Sequence, residues 1–330
     1  MLTSTFSIVA VDEATGEAGV AVASRVLAVG HIVPWAEPGA GALATQALAN
    51  AGFGPLGIGL LDDGFTAVEV EDSLRRSDPD IEQRQLGVVD MSGRSASLTG
   101  SETLDWAGGL SGPGYAVQGN ILVGPEVVAD METAFLETEG PLARRLLSAL
   151  RAGDLAGGDK RGKQSAAILV VRPGGGYQRS SDLLVDIRVD DHTDPVSELI
   201  RIYELWEPVF VLPVYLDAGT EPELEWALEM ARAYVDSPPG DMSDTTRANV
   251  LNNVAWNLAS RGLRPQQALH LALEATELLP QNANIMDTVA EAYYADGQVE
   301  KAVEWEQRAL RLEPDNEFFG QQMEKFRAER

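Results

Sequence analysis

The sequence predicts an α+β domain followed by a small all-α region, and two observations carry that prediction. Over residues 5–189 the signals run strand–strand, helix–helix, strand–strand, the order expected when two antiparallel sheets lie between helical layers. After Trp206 strand signals cease and small residues recur: Ala268, Ala275 and Pro280 return as Ala302, Ala309 and Pro314, each pair 34 residues apart. We place the first domain at residues 1–215 and the helical region at 216–330, with the repeats at about 249–316.

The elements follow in order. Residues 5–10 and 19–25 are β-rich runs joined by a polar turn at Glu13-Ala14-Thr15-Gly16, which reads as a hairpin. Residues 40–49 form a further strand. One helix is expected over 55–76, where Leu60, Leu61, Val68, Val70 and Leu74 are spaced for an apolar face. Residues 86–90 and 95–98 make a second hairpin around Met91-Ser92-Gly93, and 115–122 reads equally as strand or loop. Helices are expected at 124–138 and 140–152, the second opened by Pro141 in its first turn and closed near Gly153. Strands at 165–171 and 182–189 precede a helix at 195–205. Residues 221–235 form an acidic amphipathic helix, and Ser237-Pro238-Pro239-Gly240-Asp241 breaks the chain before the repeats. The second repeat also carries Tyr293 and Gly297; the first is looser, with Trp256 and a shifted Gly262. The period is that of tetratricopeptide repeats, and two copies fall short of the roughly three a self-sufficient solenoid needs. Partner binding and a structural appendage both fit them.

Composition bounds the function. The 330 residues carry a formal charge of −26, which sets the chain against phosphate-rich partners, so nucleic acid and anionic membranes are not expected. There is no cysteine, which removes disulfides, thiolate metal sites and a cysteine nucleophile. No signal-peptide pattern opens the sequence and no run approaches the roughly 18 apolar residues of a membrane span. A cytoplasmic homo-oligomer is expected.

Several stretches resemble a bacterial family of unknown function placed in the N-terminal nucleophile (Ntn) hydrolase superfamily. They are residues 5–10, 19–30 (GVAVASRVLAVG), Val33-Pro34-Trp35-Ala36, 44–50 (ATQALAN), 84–90 (RQLGVVD), 115–122 (YAVQGNIL), 157–167 (GGDKRGKQSAA) and 188–195 (RVDDHTDP). The resemblance spans residues 5–206 and implies a four-layer α/β/β/α sandwich with the superfamily's chemistry, but no substrate.

That chemistry uses one residue as nucleophile and base, because a terminal α-amine can take the proton of its own hydroxyl. Thr5 is the candidate. Met1-Leu2-Thr3-Ser4 precede it, so an active Thr5 requires cleavage at Ser4–Thr5; Thr3, an upstream start or a catalytically dead protein are the alternatives. Arg25 would hold the amine neutral or bind a substrate carboxylate, with Ser24 beside it. Asn120 is the candidate oxyanion donor, and Thr45, Gln46, Asn50 and Gln118 are candidate substrate contacts. Asp159 and Ser165 resemble the superfamily's supporting Asp and Ser, and Arg161, with Lys160, hints at an anionic substrate group. Asp190-Asp191-His192-Thr193-Asp194 lacks full metal-ligand spacing and reads as helix initiation, so no metal and no cofactor is expected.

The expected function is an Ntn-type amidohydrolase acting on a small amide, peptide or acyl compound. The alternative is a non-catalytic binding protein that uses the scaffold and docks partners through its repeats.

Overall fold

A computed structural model describes residues 5–218, 220–238 and 242–328. The expected removal of residues 1–4 falls outside them, as do residues 239–241 of the break expected over 237–241. The chain divides into two compact units, one ending at Glu204 and the next beginning at Leu205; the boundary expected at 215/216 falls within the second.

The first unit holds two antiparallel sheets. Hairpin β1 (Thr5–Asp12) and β2 (Glu17–Ser24) lies in the middle of the larger. β9 (Ser165–Val171) and β10 (Leu183–Val189) extend it beyond β2, while β8 (Tyr115–Asn120) and β7 (Gly108–Gly112) extend it beyond β1. The smaller sheet runs β3 (Pro34–Glu37), β4 (Gly41–Ala47), β5 (Arg84–Asp90), β6 (Ser95–Thr99). Residues 115–120, open between strand and loop in the sequence, are a fully buried strand beside β1.

Strand periodicity sorts the side chains by face. Val9, Val11, Val20, Val22 and Ala116 of the larger sheet share one apolar cluster with Ala42, Ala44 and Val89 of the smaller. The opposite face of the smaller sheet, with Leu43, Leu86 and Val88, packs on α1 (Phe53–Asp62) and α2 (Ala67–Ser77) through Phe53, Leu61, Val70 and Leu74. On the larger sheet, α4 (Leu142–Leu155) packs on β1 and β2, and α3 (Glu126–Glu137) on β8.

The single helix expected over 55–76 is two helices. Asp63-Gly64-Phe65 interrupts it, and Thr66 restarts it with a capping box: Thr66 Oγ1 accepts from the Glu69 N–H at 3.2 Å and Glu69 Oε2 from the Thr66 N–H at 2.9 Å.

The last helix of the first unit runs on into the second, whose described residues form only helices and their connections. α5 (Pro195–Trp206) leads through a π-turn at Glu207–Val211 into α6 (Leu212–Ala218) and α7 (Glu221–Asp236). Then follow α8 (Asp244–Ser260), α9 (Pro265–Leu278), α10 (Ala283–Ala295), α11 (Val299–Leu312) and α12 (Glu317–Ala328). The recurring alanines, Ala268 and Ala275 on α9 and Ala302 and Ala309 on α11, are all completely buried. Gly262 and Gly297 end α8 and α10 with the same device. At each, φ is positive (67° and 76°), and the N–H groups of residues 262/263 and 297/298 return to the carbonyls of 259/258 and 294/293. Among the described residues no helix is long and apolar enough to cross a membrane.

Candidate functional site

The inter-sheet core changes character at one end. Beyond Val9 the same face of β1 carries Ser7 and then Thr5; beyond Val22, β2 carries Ser24; beyond Ala116, β8 carries Gln118 and Asn120. From the smaller sheet Gln46 follows Ala44, and Gln85 pairs with it across β4 and β5. These seven polar residues are at most 2% exposed.

Burial without partners is costly, so the amides pair, although Gln118 Oε1 finds no partner among the described residues. They form a directional chain. Gln118 Nε2 donates to Ser7 Oγ at 2.6 Å, and Ser7 Oγ to Gln46 Oε1 at 2.6 Å. Gln46 Nε2 then donates to Gln85 Oε1 at 2.8 Å, and Gln85 Nε2 to Thr99 Oγ1 at 2.9 Å. Asn120 Nδ2 joins at Gln85 Oε1 (2.9 Å), and Gln46 Nε2 also reaches the Thr5 carbonyl at 3.3 Å. A glycine makes this possible: a Cβ on Gly87 would stand 2.1 Å from Gln118 Oε1.

Thr5 lies between Ser24 and Asn120 in register, and its Oγ1 donates to Ser24 Oγ at 3.2 Å. Five candidates, Thr5, Ser24, Gln46, Gln118 and Asn120, are therefore brought together. Ser7 and Gln85 complete the cluster and escaped the sequence reading. The available signal was parity: Ser7 sits two residues from Thr5, and Gln85 alternates onto the face of β5 that carries Gly87 and Val89.

A second group lies beside the first, on the far side of Ser24, which pairs in register with Ser165 of β9. Asp159 accepts the Arg25 backbone N–H at 2.9 Å and pairs with the Arg161 guanidinium through both its oxygens, at 3.1 and 2.9 Å. Ser165 Oγ donates to the Val26 carbonyl at 2.5 Å and accepts the Val29 N–H at 3.1 Å. Asp159 and Ser165 thus bind the segment that leaves β2, rather than the Thr5 hydroxyl. The Arg25 side chain is exposed and donates to Gln164 Oε1 at 2.8 Å; Lys160 Nζ donates to the Asp105 carbonyl at 2.6 Å. The cations that hinted at an anionic substrate are engaged within the chain.

Thr45 and Asn50 stand apart from both groups. Thr45 belongs to the face of β4 that carries Leu43, and its hydroxyl donates to the Asn50 carbonyl at 3.3 Å. Asn50 Nδ2 donates to Asp78 Oδ2 at 2.9 Å, and Arg84 Nε to the same oxygen at 3.0 Å. Burial would raise the Asp78 carboxyl; hydrogen bonds from Asn50, Arg84 and the Asp80 N–H more than offset this and hold it below its ordinary value. At the 190–194 stretch, His192 Nδ1 accepts the Asp194 N–H at 3.0 Å, just before α5 begins.

Two openings adjoin the cluster. A cavity of about 20 Å³, enough for one water, is lined by Asn120, Ile121, Ala47, Leu48, Gln83 and the 102–104 loop. A cleft of about 460 Å³ lies between β6 and β7, lined by Ser97, Thr99, Ser101, Thr103, Asp105 and the glycines 100, 108 and 109. Ser97 Oγ is buried there with no partner among the described residues. Thr99, at the end of the amide chain, is a wall of this cleft.

No curated protein matches the chain. Among solved structures it is similar to the crystal structure of protein SPO2555 from Silicibacter pomeroyi, at 32% identity and a TM-score of 0.56, over 62% of this chain and 89% of that one. That structure is itself assigned to the family model whose description is "Family of unknown function (DUF1028)", and the same model matches residues 5–199 here. The chain therefore belongs to the DUF1028 family.

Proposed function

We propose that this chain is an Ntn-type amidohydrolase whose nucleophile is Thr5, released by cleavage of the Ser4–Thr5 bond, on a four-layer α/β/β/α sandwich with tetratricopeptide-like repeats attached. The observation that carries the reading is the place of Thr5, at the head of a central strand in a buried polar cluster where the rest of that face is apolar. Once cleaved, Thr5 has its α-amine and hydroxyl on one residue. The amine takes the hydroxyl proton as Oγ1 attacks the substrate carbonyl carbon, and returns it to the leaving nitrogen. Water then cleaves the acyl ester and restores Thr5. Ser24 Oγ, at 3.2 Å, orients the hydroxyl, and the Asn120 amide is the candidate donor to the oxyanion.

Intact mass spectrometry of fresh and aged protein tests this. Loss of residues 1–4 with Thr5 at the new terminus, abolished by Thr5→Ala, is the expected result, and only the cleaved form takes up an electrophilic threonine-directed probe. A chain that keeps Met1 throughout defeats the reading.

One observation favours a second reading, that of a non-catalytic binding protein: Thr5 has no exposed surface, and its hydroxyl and carbonyl are both engaged. Under that reading Thr5→Ala leaves the cellular phenotype intact, and a stable complex is recovered through residues 249–330.

A further inference from the structure

The second unit buries three carboxyl groups where α10, α11 and α12 meet. Asp287 and Glu291 stand one turn apart on α10, Glu306 comes from α11, and Gln322 and Lys325 come from α12. Asp287, Glu291 and Glu306 are 4%, 3% and 0% exposed.

Glu291 is compensated. Its two oxygens accept from Lys325 Nζ at 2.6 and 2.7 Å, and Oε2 also accepts from Gln322 Nε2 at 3.0 Å. Glu306 is not: neither of its oxygens meets a donor among the described residues, and neither does Asp287 Oδ1. Ionised carboxylates only accept hydrogen bonds, so two of them facing each other in an apolar core leave every facing lone pair unmatched and repel as well. A single proton removes both problems, because a neutral Glu306 donates its O–H to Asp287.

We propose that the α10–α11 interface holds one proton between Glu306 and Asp287 at neutral pH, and that losing this proton in mild alkali loosens the helical unit. Burial raises both carboxyls above their ordinary values and takes Glu306 up to about 9, with the charge of Asp287 beside it adding to the rise. Glu291 pushes the same way on both, and Lys325 opposes the rise at Asp287. In an unfolded chain Glu306 ionises near its ordinary 4.5. The folded pair therefore holds an extra proton up to about pH 9, joined below about 7 by a second as Asp287 protonates, and stability falls as pH rises through this window.

The full chain serves for the test. Hydrogen exchange of residues 283–312, corrected for intrinsic chemistry, gives the opening constant of the interface. For one extra folded-state proton it rises up to about tenfold per pH unit across the alkaline half of the window in wild type. In Glu306→Gln, whose amide donates to Asp287 without titrating, that slope disappears. Infrared spectroscopy adds a readout that needs no variant: wild type at pH 7 shows a buried carboxylic-acid carbonyl band that vanishes as Glu306 ionises. Equal slopes in wild type and Glu306→Gln overturn the proposal. So does the absence of the band at pH 7, which decides the matter alone if the variant does not fold.

Discussion

Gln85 shows how much one side chain can organise. It joins both sheets: its Oε1 accepts from Gln46 and Asn120, and its Nε2 donates to Thr99 Oγ1, to the Gly119 carbonyl at 2.8 Å and to the Gly108 carbonyl at 3.2 Å. Replacing it with leucine removes the acceptor that Gln46 Nε2 and Asn120 Nδ2 share and the donor that meets the Gly119 carbonyl. Each abandoned buried group costs about 1–3 kcal/mol, so Gln85→Leu should lower the denaturant midpoint of the first unit sharply, with the unfolding slope unchanged. An unaltered midpoint would show that the amide chain does not hold the sheets together. The sequence made part of this cluster legible. Thr5 and Ser24 are singled out by the family resemblance, Gln46 by the apolar strand it adjoins, and Gln118 and Asn120 as the two amides flanking Gly119. Gln85 was easy to pass over because it follows Arg84 at the start of β5, where polar residues are ordinary. Asp159 and Ser165 are a different case: their residue types fit proton chemistry, but only the fold reveals that they grip the backbone after β2, the Arg25 N–H included.

At the scale of elements, the capping box that begins α2 explains why the 55–76 segment divides. The apolar spacing of Leu60, Leu61, Val68, Val70 and Leu74 runs through both helices, so periodicity alone reads one. Thr66 and Glu69 satisfy the first N–H groups of a new helix at the point where Gly64 ends the old one. Loss of such a cap costs about 1 kcal/mol. Thr66→Ala should therefore lower the first unit's stability by about that amount, while Thr66→Ser retains most of it; identical stabilities for all three proteins would remove the cap as the cause of the break. The same logic accounts for β3 and β7, which the sequence left unassigned. The four residues of β3 include Pro34, and β7 is Gly108-Gly109-Leu110-Ser111-Gly112, without β-branched residues. Both are edge strands, placed by their neighbours rather than by their own preferences. The 34-residue recurrence was easier to see, because close helix packing restricts Ala268, Ala275, Ala302 and Ala309 to small side chains.

For the whole molecule the dominant fact is charge. Fifty-one acidic residues face 25 basic ones, and the basic residues cluster into local pairs such as Arg161–Asp159, Lys163–Asp154 and Arg84–Asp78. The acidic excess is left to repel itself over the surface, which disfavours a compact state. Salt screens this long-range repulsion over about 8–10 Å at 0.1–0.15 M. Salt also weakens exposed ion pairs, but those are worth only about 0–1 kcal/mol each. Buried pairs such as Arg172–Glu17, at 3.1 Å with Glu17 fully enclosed, are screened much less. Repulsion should therefore win. At pH 7 the thermal midpoint should rise as sodium chloride increases from about 10 mM to about 150 mM, the range over which the screening length shrinks most. Potassium chloride should act alike, since the effect is one of ionic strength. A midpoint that falls with salt would mean that the specific pairs, rather than the net charge, dominate the electrostatics of this protein.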